Sequence, residues 1–291
     1  MAPIRFLLIL VCFISWPHPI LAKMDGVEVL ITAEKKVERK TPPKKGTPKP
    51  SKPQERSINE TRPLPPVIII DPGHGGKDPG ATSRYKIREK DLVLAVSKKL
   101  GASLKRKIGA TVSLTRATDK FITLGERNRI ANQKQCDLFL SVHANAAKSK
   151  NADGIEVYYL NRATDVASER LADRENEGSP KPEKEIEAIL SDLIQAAATE
   201  ESAELASDVE RSLRRGLGKR YGIGPVRVKT ALFYVLVGAK CPSLLIEIGF
   251  ITNPQEARRL KKAGYQRDLT DAIAGGVASY LAGREKSGGD L

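Results

Sequence analysis

Val67-Ile68-Ile69-Ile70 runs straight into Asp71-Pro72-Gly73-His74-Gly75-Gly76, and no other stretch constrains the fold as much. Consecutive β-branched residues without alternation specify a strand covered on both faces, as in the interior of a parallel or mixed sheet. Helices are therefore expected on both sides of that sheet. Pro72 cannot continue the ladder, and the glycines permit tight turns close to a ligand, which puts His74 on a compact loop at the strand's carboxyl end. Open α/β sheets bind their ligands at that end.

The chain holds three histidines. His18 lies near the amino terminus, and the other two share a setting. Leu138-Phe139-Leu140-Ser141-Val142-His143 is a second apolar strand ending in histidine, followed by Ala144-Asn145-Ala146. A lone histidine after a strand is more often a loop residue than a ligand, but two at equivalent strand ends point to a shared site. A carboxylate would complete the His₂Glu set that leaves zinc an open position for water. Glu89, in Arg88-Glu89-Lys90-Asp91, is the natural donor; as an ordinary first-turn residue it would only complement the helix dipole. Asp71, Asp78 and Asp91 are rival carboxylates that spacing does not exclude. Asp71 is also suited to orienting a ligand histidine from behind.

Ser243-Leu244-Leu245-Ile246-Glu247-Ile248-Gly249-Phe250 sets a carboxylate inside an apolar run. Burying an unpaired Glu is costly, so Glu247 needs a partner or a role. Beside a metal, desolvation raises its proton affinity while the cation lowers it, which suits a general base. The alternative is a solvent-facing carboxylate on an alternating strand, and Leu245 and Ile246 speak against strict alternation.

The remaining chain supplies the frame. Met1 to Ala22 has a charged start at Arg5, an apolar run from Phe6 to Trp16 and a small-residue end, the pattern of a secretory signal. Pro17 and Pro19 interrupt the run, which is shorter than a spanning helix needs. Residues 23 to 64 are rich in Lys, Pro, Thr and Ser and are expected to be a basic disordered linker, with a short strand-like piece beginning at Val27. The formal net charge is +14. In an exported protein such charge meets anionic envelope polymers rather than nucleic acid, and a merely solvated linker fits as well.

From 65 to 285 the pattern is that of one α/β domain: a mixed β-sheet flanked by helices on both faces, with the site at strand carboxyl ends. A helix capped by Asp91 is expected to run to about Lys107, a strand from Thr111 to Thr115, a helix from about Thr123 to Gln135, and a strand from Gly154 to Leu160. From about Thr164 to Gly218 the chain becomes helical and acidic, reading as an insertion that is either a packed helical layer or a lid, with the packed layer expected for its two later helices. It holds a short helix ending near Glu175 to Glu177, a face of Ile186, Ile189, Leu190, Leu193 and Ile194, and another of Leu205, Val209 and Leu213. A last helix is expected from Asp268 to Leu281. Cys136 and Cys241 are the cysteines outside the signal, and separation in sequence does not show whether they pair.

Asp71-Pro72-Gly73-His74-Gly75-Gly76-Lys77-Asp78-Pro79-Gly80-Ala81, Glu89-Lys90-Asp91, Leu114-Thr115-Arg116, Ser141-Val142-His143-Ala144-Asn145 and Glu247-Ile248-Gly249-Phe250-Ile251-Thr252-Asn253 together resemble the zinc-dependent N-acetylmuramoyl-L-alanine amidases of the amidase-3 type. The resemblance implies Zn²⁺ held by His74, Glu89 and His143, Glu247 as catalytic carboxylate, and peptidoglycan as substrate in the periplasm or cell envelope. The acidic insertion resembles the regulatory segment of the cell-division branch, in which a helix blocks the zinc site until a LytM-domain activator binds. That implies Glu175 or Glu177 as the blocking residue. Two other readings use the same residues: a zinc peptidase cutting within stem peptides, and an inactive envelope scaffold. The intact set of His74, Glu89, His143 and Glu247 argues against the scaffold.

Overall fold

The computed structural model describes residues 22–24, 27–29, 64–178 and 197–287. The expected signal, apart from Ala22, and most of the expected linker lie outside the described residues. So does the helix face of Ile186, Ile189, Leu190, Leu193 and Ile194. Two short strands, β1 (Ala22–Met24) and β2 (Val27–Val29), pair antiparallel within a unit spanning residues 1–60. Among the described residues no helix is long and apolar enough to cross a membrane.

The second unit, residues 61–291, is organised around a six-stranded sheet. Its strands are β3 (Val67–Pro72), β6 (Thr111–Leu114), β7 (Leu138–Asn145), β8 (Ile155–Leu160), β9 (Val226–Ala231) and β10 (Ser243–Phe250), in the order β6-β3-β7-β10-β8-β9. All neighbours are parallel except β10 and β8. A small antiparallel pair, β4 (Thr82–Ser83) with β5 (Ile87–Arg88), lies in the loop after His74.

Both faces of the sheet are covered, which explains the unbroken apolar runs. Ile68, Ile70, Leu140, Val142, Leu244 and Ile246 pack on one side with α1 (Glu89–Ile108), α4 (Ala197–Tyr221) and α7 (Ala263–Ser287). Ile69, Phe139, Tyr158 and Leu245 face the other side, under α2 (Leu124–Gln133), α3 (Val166–Glu175) and α5 (Tyr234–Val237). β10 does alternate, but between two buried faces, so Glu247 is turned inward with Leu245 rather than toward water. A further short helix, α6 (Pro254–Leu260), is capped by Asn253, whose side chain accepts from the Gln255 and Glu256 amides.

One sequence expectation is corrected. The first helix starts at Glu89, with Arg88 rather than Asp91 at its cap. Asp91 instead pairs with Arg88 at 2.6 Å on the surface. Within the segment 164–218, Leu205, Val209 and Leu213 of α4 are fully buried in the core beneath the sheet. A disulfide joins Cys136, just after α2, to Cys241, just before β10.

Candidate metal centre

Four of the six expected site residues meet at the carboxyl ends of β3 and β7. His74 follows β3 with a left-handed backbone, φ 56°. That conformation is uncommon for a residue with a side chain, so its surroundings must hold it. Two buried arginines do so. Arg116 donates to the carbonyls of Pro72, Gly73 and Lys90 at 3.0, 2.6 and 2.9 Å. Arg127 donates to those of Pro72 and His74 at 2.7 and 2.9 Å, and to Asp71 at 2.7 Å. Gly73 must be glycine, since a Cβ there would lie 2.4 Å from the His143 ring.

The rings of His74 and His143 stand edge to face with centroids 4.9 Å apart. Glu89, in the first turn of α1, spans them: its two carboxylate oxygens lie 3.2 Å from His74 Nε2 and 3.2 Å from His143 Nδ1. The amides of Ala81 and Ala144 each donate to Glu89 at 2.9 Å and fix its orientation. Glu175, the last residue of α3, completes the group, with Oε2 at 3.2 Å from His74 Nε2 and 3.1 Å from His143 Nδ1. One donor atom from each of His74, Glu89, His143 and Glu175 lies within 4.8 Å of all the others. Glu177 lies outside this group, exposed at the rim of the same cleft.

The donor set fits a divalent metal of the zinc type: two imidazole nitrogens and two carboxylates converge on one point. His74 Nε2 and Glu175 Oε2 are buried and face one another, yet neither makes a hydrogen bond of good geometry. Such orphaned polar atoms in a buried site call for a partner. The other nitrogen of His74 is already used, at 2.8 Å from Asp78. Asp78, weighed as a ligand, is thus behind the histidine, the arrangement by which a carboxylate fixes the ring and strengthens it as a donor. Asp71 does not touch a ring; Thr115, Arg127 and Ser141 bind it below the loop.

The electrostatics show the negative potential that the carboxylates create at the two rings. Burial works against protonation of both imidazoles, but the carboxylates outweigh it, with Glu89 dominant at His74 and Glu175 at His143. Both rings are raised in pKa as a result. Burial also works against ionisation of Glu89 and Glu175, yet the two histidines hold both carboxyls below their ordinary range.

Glu247 is fully buried on β10, in register with His143 on the adjacent parallel strand. Neither of its oxygens has a hydrogen-bond partner. Burial pushes its carboxyl well above the ordinary value; Glu89 and Glu175 push the same way, while His143 and Arg174 oppose them. The site thus holds a cluster of donors suited to a cation and, beside it, one buried carboxyl outside that cluster.

Several supporting residues escaped the sequence reading. Arg127 had no signal beyond its place in a helix. Lys229 on β9 joins Glu156, at 2.8 Å, to Asp165 at 3.2 Å, and Asp165 caps α3. Asn176 closes the other end of α3, donating to the Leu232 carbonyl at 2.8 Å and accepting from the Tyr234 amide at 2.8 Å. β9 itself was not anticipated, so these anchors could not be.

The family described as N-acetylmuramoyl-L-alanine amidase matches residues 68–279. An Escherichia coli O6:H1 relative named N-acetylmuramoyl-L-alanine amidase AmiC is 33% identical over 254 residues, covering 84% of this chain and 58% of that protein. The chain therefore spans little more than half of that relative. The AmiA amidase of Escherichia coli K12 is 34% identical over 240 residues, covering 79% of this chain and 80% of its own length. Among solved structures, an N-acetylmuramoyl-L-alanine amidase from Clostridium difficile 630 superposes with a TM-score of 0.59 at 30% identity, over 75% of this chain and 97% of that one. AmiC2 of Nostoc punctiforme follows with a TM-score of 0.57 at 29% identity, over 75% and 97% of the two chains. With the family match covering nearly the whole described sheet and both histidine-bearing strands, this chain belongs to the N-acetylmuramoyl-L-alanine amidase family.

Proposed function

We propose that the chain hydrolyses the amide between the lactyl group of muramic acid and the L-alanine of the peptidoglycan stem, with zinc held by His74, Glu89 and His143. The observation that carries the reading is Glu247, a buried carboxyl without a hydrogen-bond partner, set beside a ligand histidine. Bound zinc supplies a Lewis acid that polarises the amide carbonyl and brings the pKa of water toward ~7. Glu247 takes the proton from the attacking water and gives it to the departing alanine nitrogen. Its burial keeps the proton from bulk water. Asp78 keeps His74 in the ligand tautomer throughout.

Glu175 occupies the position that water and substrate need. We read α3 as an autoinhibitory plug, pinned at one end through Asp165 and at the other through Asn176, and Glu175 rather than Glu177 as the blocking residue. A LytM-domain activator is the expected agent of release, in the periplasm or envelope, with the basic segment before residue 64 available to anionic polymers there.

The test is digestion of purified sacculi by the full chain and by Glu175→Ala, with and without chelator, followed by mass analysis of the released fragments. Free stem peptides beginning with L-alanine, increased by the substitution and abolished by chelator, are expected. Fragments beginning at any other stem residue would make the enzyme a peptidase. No gain from Glu175→Ala would remove the plug.

A further inference from the structure

The cleft above the metal centre has a volume of about 540 Å³, and Lys77 and Phe121 form one edge of it. Phe121 is one of three large apolar side chains exposed among the described residues, and the one that lines this cleft. It is not on a loosely placed loop. The Gly76 amide donates to Asp119 at 2.7 Å, and Lys90 binds both Asp119 and the Gly76 carbonyl, at 2.7 and 2.8 Å. A Cβ on Gly76 would come within 2.6 Å of the Phe121 amide nitrogen, and one on Gly75 within 2.3 Å of the Lys120 carbonyl. Both glycines have positive φ, so their backbones also exclude ordinary side chains. The loop bearing Phe121 thus packs backbone to backbone on the loop bearing His74, and the aromatic ring is held at a fixed place relative to the reacting centre.

Lys77 stands over that ring, its Nζ 4.7 Å from the centroid. Among the described residues no carboxylate pairs with it. The edge therefore offers an apolar face and an unneutralised cation about one residue apart. This inference rests on the amidase reading, and the chemistry of that substrate selects the occupant. Once its lactyl carboxyl is tied up in the amide, the muramoyl sugar carries no charge; the nearest anion is the free carboxylate of the acidic second residue of the stem, next to the methyl of the first.

We propose that Lys77 and Phe121 form the stem-peptide subsite, Phe121 packing on the L-alanine side and Lys77 binding the carboxylate of the second residue. The stem then leaves the scissile amide along the loop of residues 119–121, and the glycan lies toward the opposite wall. The enzyme is thereby selective for stems whose second residue carries a free carboxylate over those in which it is a carboxamide.

The experiment is equilibrium binding, by calorimetry, of two muropeptides that differ only in that carboxylate or carboxamide. The zinc-loaded Glu175→Ala, Glu247→Gln protein is used, so that the cleft is open and nothing is cleaved. Adding Lys77→Gln should weaken the carboxylate form about tenfold and leave the carboxamide unchanged, with Lys77→Arg restoring most of the loss. Phe121→Ala should weaken both forms alike. Equal effects of Lys77→Gln on the two muropeptides, no effect on either, or no binding of either would overturn the subsite. Cleavage by Glu175→Ala is scored separately: charge-selective binding without stem release would retain the subsite and reject the amidase chemistry.

Discussion

Glu247 and His143 are register partners on adjacent parallel strands, so their side chains leave the sheet on the same face. The pairing ties the proposed metal ligand to the proposed proton carrier through two fully buried strands. Neither residue depends on a mobile loop for its place, and their relative position is as rigid as the ladder itself. Functional groups held on strands in this way keep their geometry better than groups on loops.

Glu247→Gln keeps the size and burial of the side chain and removes its ability to take a proton. Hydrolysis of peptidoglycan should fall by about 10²–10⁴-fold, the usual share of a general base. Zinc affinity, measured by competition with a chromogenic chelator, should stay within about threefold, because Glu247 is not among the converging donors. A comparable loss of metal would make Glu247 a ligand instead.

Asp78 reaches the far nitrogen of His74 at 2.8 Å and accepts from the Gly80 amide at 2.9 Å. Its carboxyl is held below the ordinary value, first by the hydrogen bond from His74. Asp78→Ala should weaken zinc binding about 10–100-fold, the typical effect of losing the carboxylate behind a ligand histidine. The Co²⁺-substituted protein should show a changed visible spectrum. An unaltered spectrum and unaltered affinity would mean that the ring is held by the backbone alone.

The sheet, its two covered faces and the two histidines were legible because each rests on a local pattern. Ile68 to Ile70 and Leu138 to Leu140 are continuous apolar runs, and such runs have one common explanation. Glu247 was legible for the opposite reason, as a charge where none should be. Glu89 could be read as a donor, but not as the residue that bridges both rings, since that depends on amides from Ala81 and Ala144 brought in by other elements. Asp78, rather than Asp71, stands behind His74, because the left-handed turn at His74 points its ring forward to Asp78 and away from β3. Arg116, Arg127 and Lys229 act through contacts with distant backbone or side chains, which carry no local periodicity.

Asp71 is fully buried among Arg127, Thr115 and Ser141. Burial would raise its pKa, but the Arg127 charge and the hydrogen bonds outweigh it, so the folded value lies below the ordinary one. A depressed folded pKa gives stability that is present above the unfolded value near ~4 and is lost as pH falls through the folded value. Chemical denaturation across pH 2 to 6 should therefore show a slope below about pH 4 that is shallower in Asp71→Asn. The variant should also be less stable at pH 7 by about 3–5 kcal/mol, since Arg127 is left buried without its counter-charge. Identical slopes in the two proteins would place the acid sensitivity elsewhere.

The Cys136–Cys241 disulfide closes a loop with a sequence separation of 105. Both cysteines precede the first residues of their neighbouring strands, Leu138 on β7 and Ser243 on β10, at the amino ends of the strands. The candidate metal centre lies at the opposite, carboxyl ends, where β7 reaches His143 and β10 reaches Glu247. Reduction should therefore act on stability without acting on the site. Loop closure of this length constrains the unfolded chain by roughly 4–5 kcal/mol in the entropic account, and measured effects of 2–4 kcal/mol are more common. Cys136→Ser with Cys241→Ser should lower the melting temperature by several degrees, while the zinc affinity and the specific activity of the folded fraction match those of the oxidised protein. A loss of zinc affinity at a temperature where the variant is fully folded would show that the strand ends communicate across the sheet, and would make the disulfide part of the site's support.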